Sequence, residues 1–320
     1  MVPLLASIAL IPIVPASGQE ASLPASCQRL AFSVEEDFFM TEGEPADGNP
    51  YISDGDLLSW GNTICARNAE LLNPFDVSVD LGLDAADVIT TTGNAVAFST
   101  EIDSPYPGQF TAGDLLINNG SVIPNAALTA AFDIGYDVGL DAVHFVGKVT
   151  DILAFLDDWS RDPGDLPSML LQREIDIWFS TEGTAPTVSA PAFLDGDLLS
   201  ARNGTVIALG EDLLAASVPA GIPSDGTDFG LDGASGDRTD DTKAITFSTE
   251  ILHENSFNFT DGDVLQYGST FIVYTNAALI DSFKPAAPFL GLDALSFSIV
   301  DGPSVHVYLP VVLKTSGSPD

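Results

Sequence analysis

Four near-copies of one ordered pattern run through this 320-residue chain, and they constrain its fold more than any other feature. Each copy opens on an F-S-x-E segment: "LAFSVEE" from Leu30, "VAFSTEI" from Val96, "IWFSTEG" from Ile177 and "ITFSTEI" from Ile245. A glycine-centred turn follows, "ISDGDLLS" from Ile52, "FTAGDLLI" from Phe110, "FLDGDLLS" from Phe193 and "FTDGDVLQ" from Phe259. Next come "RNAELLNPF" from Arg67, "PNAALTAAF" from Pro124, "LGEDLLAAS" from Leu209 and "TNAALIDSF" from Thr275. The pattern ends on "LGLDAADV" from Leu81, "VGLDAVHF" from Val138, "FGLDGASG" from Phe229 and "LGLDALSF" from Leu290. The order never changes.

The F-S-x-E phenylalanines, Phe32, Phe98, Phe179 and Phe247, lie 66, 81 and 68 residues apart, a spacing that fits propeller blades or other modular β repeats. Alternation in "AVAFSTE" and "AITFSTE" argues for half-buried strands. G-D-L-L opens a second strand, "TICAR", "SVIPN", "TVIAL" and "TFIVY" a third, and G-L-D-A a fourth. The expectation is an all-β, four-repeat propeller-like ring, with a row of small β-sandwich repeats as the alternative. The chain meets F-S-x-E before any G-L-D-A strand and keeps a fourth G-L-D-A strand for the end, so a ring would close by pairing that strand with the first repeat. The extra length of the second period, Gly147 to Glu174, predicts one inserted amphipathic helix through Val149, Ile152, Leu153, Leu156 and Trp159, covering a sheet face. The domain plan is a signal segment at 1–18, a linker at 19–27, four repeats over 28–300 (about 28–94, 95–175, 176–243 and 244–300) and a C-terminal strand and tail at 301–320.

The apolar run Val2 to Val14, followed by small residues at Ala16 and Gly18, reads as an export signal without a basic start. It is too short to span a bilayer. Export makes a disulfide between Cys27 and Cys65 the expected state of the two cysteines, two buried thiols being the other. Ten basic against 46 acidic residues give a formal charge of −36, which repels nucleic acid and anionic lipid. A cation, a basic surface protein or a neutral glycan suits such a chain. The ordinary reading of the charge is solubility.

These motifs together resemble exported bacterial β-repeat proteins of uncharacterised activity that combine F-S-x-D/E, D-G-D-L-L and G-L-D-A segments. The resemblance covers residues 28 to 300 and implies export and a propeller-like β fold, not a reaction. The third repeat departs from it, with Gly210 where the others have Asn68, Asn125 and Asn276, and with Gly233 in place of alanine.

Three carboxylates recur in every repeat. Glu35, Glu101, Glu182 and Glu250 end the first strand; Asp56, Asp114, Asp197 and Asp263 open the second; Asp84, Asp141, Asp232 and Asp293 follow Gly-Leu. Aspartate beside glycine commonly accepts turn amides, and that is the structural expectation for both aspartate sets. Asn68, Asn125 and Asn276 suit the N-cap of a short helix. The functional expectation is a calcium ligand set in the D-G-D turns, Asp54, Asp56, Asp114, Asp195, Asp197, Asp261 and Asp263, because hard cations take six to eight oxygens. The acidic run "DGASGDRTDD" from Asp232 reads as a solvated loop able to gather a cation.

No zinc-protease, nucleophile-elbow or P-loop motif occurs, and His144, His253 and His306 are scattered. The chain therefore reads as an exported, non-enzymatic binding or structural module, extracellular or on the cell surface and calcium-stabilised. A secreted glycan hydrolase using paired carboxylates is the alternative.

Overall fold

The computed structural model describes residues 22–185, 192–221, 226–238, 241–255 and 257–298. The expected signal segment, His306 and the expected C-terminal strand and tail lie outside them. The described chain is mostly β, in four four-stranded antiparallel sheets and one two-stranded hairpin. Sheet I contains β1 (Leu30–Phe32), β4 (Leu57–Ser59) and β5 (Thr63–Ala66). The hairpin β2 (Phe38–Phe39) and β3 (Tyr51–Ile52) is inserted between β1 and β4. Sheet II holds β6 (Ala86–Thr90), β7 (Ala95–Phe98), β8 (Leu115–Ile117) and β9 (Ser121–Ile123), and sheet III holds β10 (Val143–Val146), β11 (Asp176–Phe179), β12 (Leu198–Ser200) and β13 (Thr205–Ala208). Sheet IV holds β14 (Gly233–Asp237), β15 (Asp241–Ser248), β16 (Val264–Gln266) and β17 (Ile272–Tyr274). The last strand, β18 (Leu295–Phe297), returns to sheet I and pairs antiparallel with β1, Leu30 opposite Phe297 and Phe32 opposite Leu295.

Every sheet thus takes its first strand from the G-L-D-A segment and its second from F-S-x-E. The first strands of consecutive sheets touch, β6 with β10, β10 with β14, β14 with β18, and β18 with β6. Four apolar clusters lie between neighbouring sheets. Phe98, Leu116 and the Cys27–Cys65 disulfide pack between I and II, and Phe145 and Phe179 between II and III. Trp178 and Phe247 pack between III and IV, and Phe32 and Phe283 between IV and I. The serine of F-S-x-E adds a polar tie to the next sheet: Ser33, Ser99 and Ser180 donate to the carbonyls of Leu83, Leu140 and Leu231. Ser248 has no such partner. There β14 runs so close to β18 that a β-carbon on Gly233 would lie 2.6 Å from that of Leu295, which explains glycine in place of the alanine.

Three residues after each G-L-D aspartate, the first strands carry Asp87, His144, Ser235 and Ser296, one per sheet and all buried. They meet. Arg238 grips both oxygens of Asp87 and the carbonyls of Val88 and Phe145, Ser296 donates to Asp87, and Ser235 lies 3.4 Å from His144 Nδ1. Burial alone would raise the Asp87 pKa, but the Arg238 charge overcomes it and holds the carboxyl below the usual range. The run expected as a solvated acidic loop is therefore β14 followed by the half-buried Arg238 on its buried partner Asp87; its next residues, 239 and 240, lie outside the described set.

The insertion after β10 forms two helices rather than the one expected, α3 (Val149–Arg161) and α4 (Leu166–Gln172), in a series whose short members are α1 (Asn68–Leu72), α2 (Asn125–Leu128), α5 (Gly210–Leu213) and α6 (Asn276–Ile280). The Asp162-Pro163-Gly164-Asp165 segment separates α3 from α4 because proline forbids a continuing ladder, and Asp165 caps the second helix by accepting from the Ser168 amide. The helix α3 does cover a sheet face, burying Ile152, Phe155, Leu156 and Trp159, with the Trp159 indole donating to Val122.

Candidate metal centre

The second aspartate of each D-G-D-L-L turn is fully engaged by the backbone. Asp56 accepts from the amides of Ser53 and Asn68, Asp114 from Thr111 and Asn125, Asp197 from Leu194 and Gly210, and Asp263 from Thr260 and Asn276, all at 2.8–3.1 Å. One oxygen closes the turn and the other fixes the first amide of the following helix. The asparagines correspondingly stand one residue inside their helices; the N-caps are Arg67, Pro124 and Thr275. This corrects the expected N-cap role. Freed from capping, the asparagine side chain reaches across to the G-L-D loop: Asn68 donates to the carbonyls of Gly55 and Gly82, Asn125 to those of Gly113 and Gly139, and Asn276 exchanges bonds in both directions with Leu290. Gly210 cannot do this, since even a β-carbon there would lie 2.9 Å from the Gly196 carbonyl oxygen.

In three of the four copies the asparagine thus ties down the loop that carries the G-L-D aspartate, whose surroundings are the opposite of those in the turn. Asp84, Asp141, Asp232 and Asp293 each keep a buried Oδ2 that no backbone or neutral side-chain donor reaches, Asp293 shares a side-chain hydrogen bond with the Glu101 carboxyl, and Asp141 and Asp232 are only 4% and 9% exposed. The F-S-x-E glutamates close over them. The glycine before each aspartate makes the space: a β-carbon on Gly82, Gly139, Gly230 or Gly291 would strike Glu101, Glu182, Glu250 or Glu35 within 2.0–2.7 Å. Three of those glycines also hold φ between +62° and +78°, where side chains are disfavoured.

The result is a floor of four aspartates under a rim of four exposed glutamates. All four aspartates have raised pKa values, first through burial and then through one another and the glutamates. Asp84 is repelled by Glu182, Glu101 and Glu250; Asp232 by Asp293, Glu250 and Glu35; and Asp293 is pushed up to about 9. The ion pairs found among the described residues lie elsewhere. Oxygens of Asp84, Asp141 and Glu182 come within 4.8 Å of one another, close enough to share a cation.

The remaining turn carboxylates form an outer tier. Asp54 is pushed up to about 6 by burial and by Asp37 and Asp80, and in turn repels Glu101 and Asp293. Asp195 lies against Asp228, which burial and that contact push up to about 7. Asp261 presses on Glu35 and keeps a buried oxygen unpartnered. The seven turn aspartates thus divide into four bound to backbone amides and three flanking the mouth. The sequence reading missed Asp80, Asp137 and Asp228, two residues before the G-L-D glycine. Their signal was their constant offset, which Phe289 interrupts in the fourth copy. No family model matches the chain, and no curated protein or solved structure is significantly similar to it.

Proposed function

We propose that this chain is an exported, non-enzymatic β-repeat protein, folded as a four-bladed propeller-like ring, that serves outside the cell or on its surface as a binding or structural module held by a calcium ion at its carboxylate mouth. The observation that carries the reading is the set of four buried Oδ2 atoms, on Asp84, Asp141, Asp232 and Asp293, that no backbone or neutral side-chain donor reaches. Buried carboxylate oxygens without donors are costly, and a divalent cation is the partner that would satisfy several at once. Calcium fits better than magnesium because it accepts six to eight oxygens in flexible geometry, whereas magnesium demands a tighter octahedron. The cyclic order of contacts among the first strands and the return of β18 to β1 support the ring. The disulfide is compatible with export, and no helix among the described residues is long and apolar enough to cross a membrane. The hydrolase alternative would need one acid and one nucleophile in unequal surroundings, and four repeated aspartate-glutamate pairs weigh against it.

The test is the melting temperature at fixed ionic strength in calcium, magnesium and chelator. Calcium at one hundred times its Kd should add about 2.7 kcal/mol of stability, and magnesium clearly less. Equal melting temperatures in all three would refute the reading.

A further inference from the structure

Strand 1 of each sheet leaves a G-L-D segment and strand 2 returns to F-S-x-E, so the loops preceding the one motif and following the other open at the same end, around the carboxylate mouth. Eleven large apolar side chains are exposed among the described residues, and eight of them lie in these two kinds of loop. Ile102 and Ile251 directly follow Glu101 and Glu250, with Tyr106 and Leu252 a few residues on. Phe39, the most exposed of the eight at 64%, projects from the β2–β3 hairpin beside the Tyr51 ring. Val79 and Tyr136 immediately precede Asp80 and Asp137, and Phe289 takes the corresponding aspartate position in the fourth copy. Solvent-exposed apolar groups gathered around a charged centre mark an interaction surface.

We infer that this end of the molecule is a docking face for a protein segment in which basic side chains alternate with apolar ones. Charge selects the occupant. The face carries the glutamate rim and the outer aspartates on a chain of formal charge −36, so a second copy, nucleic acid or an anionic lipid surface is repelled. One bound calcium leaves most of those carboxylates uncompensated. Chemistry narrows it further: half of the eight apolar groups are aliphatic, which suits peptide side chains, whereas a neutral sugar uses aromatic planes and gains nothing from the charge. Lysine or arginine would reach the rim while neighbouring apolar side chains rest on Ile102, Tyr106, Leu252 and Phe39.

The inference rests on the mouth as an acidic centre and not on the metal within it. Fluorescence anisotropy would compare the whole protein, with and without calcium, against three ten-residue peptides alternating lysine with leucine, lysine with serine, and glutamate with leucine. The lysine-leucine peptide should bind about tenfold or more tightly than the lysine-serine peptide at matched ionic strength, because only it buries apolar surface. The glutamate-leucine peptide should not bind. The double variant Ile102→Ser with Leu252→Ser should lose most of that preference, and Leu171→Ser with Phe271→Ser, exposed outside these loops, should keep it. Equal affinity for the two lysine peptides, or an equal loss in the control variant, would overturn the inference. So would displacement of the peptide by neutral oligosaccharides, or a dimer in sedimentation that the Ile102 and Leu252 substitutions abolish. A failure of calcium binding shows instead as an unchanged melting temperature, with the peptide ranking intact.

Discussion

A β-carbon placed on Gly82 would lie 2.4 Å from the carboxyl carbon of Glu101. The glycine of G-L-D, which closes one copy of the motif, and the glutamate of F-S-x-E, which opens the next, are therefore two halves of one local structure: the first leaves room for the second above the aspartate floor. Gly139 repeats the relationship with Glu182 at φ +78°. Gly139→Ala should cost roughly 1 to 3 kcal/mol through left-handed strain and displace Glu182. Chemical denaturation in chelator would measure the cost; an unchanged midpoint would contradict the packing.

Stability should fall with rising pH when calcium is withheld. The sign follows from the direction of the shifts: carboxyls whose folded pKa exceeds the unfolded value bind more protons when folded. Their contribution is complete below the ordinary carboxylate range and disappears as pH climbs through the folded values, about 7 for Glu101 and about 9 for Asp293. Melting temperatures in chelator should decline across that window, and saturating calcium should flatten the decline, since the metal binds the deprotonated form. A parallel decline with and without calcium would contradict this.

Removal of residues 291–320 takes away β18, the partner of β1, and uncovers Leu30 and Phe32. The remaining chain should lose its cooperative thermal transition and bind a hydrophobic dye. A truncated protein that melts as the whole chain does would show that the return of β18 is dispensable.

Asp87→Ala leaves the half-buried Arg238 without its carboxylate and removes the group on which Arg238, the Phe145 amide and Ser296 converge. Breaking a buried pair from one side costs about 3 to 5 kcal/mol. Urea unfolding of this variant measures it; a loss below about 1 kcal/mol, the worth of a surface pair, would place the contact outside the core.

Reduction of Cys27–Cys65, which closes a 38-residue separation, should cost about 4 kcal/mol on the chain-entropy account. The paired variant Cys27→Ala with Cys65→Ala should show the same loss and lose sensitivity to reductant.

The motif order made the four-strand repeats and the return of the last strand legible from sequence, and two cysteines in a chain with an export-like start made the disulfide so. The site was only half legible. Asp56 and Asp84 look alike in the chain, each an aspartate beside glycine or one residue from it. They differ in donor supply, because Asp56 receives the Ser53 and Asn68 amides while Asp84 Oδ2 receives none. That difference is set by which backbone amides face each carboxylate, which periodicity does not reveal, and it persists in the third copy, where Gly210 supplies no asparagine bridge. The second inserted helix was missed because the apolar periodicity followed from Val149 ends at Trp159, and the short segment beyond the Asp162-Pro163-Gly164-Asp165 break carries too few turns to show a period of its own.

The most direct test is a calorimetric calcium titration at fixed ionic strength, run on the natural chain, on Asp84→Asn with Asp141→Asn, and on Asp54→Asn with Asp195→Asn. The account predicts saturable binding to the natural chain, its loss in the first variant and its retention, somewhat weakened, in the second. Binding that survives in the first variant and vanishes in the second would place the ion in the turns and contradict the account.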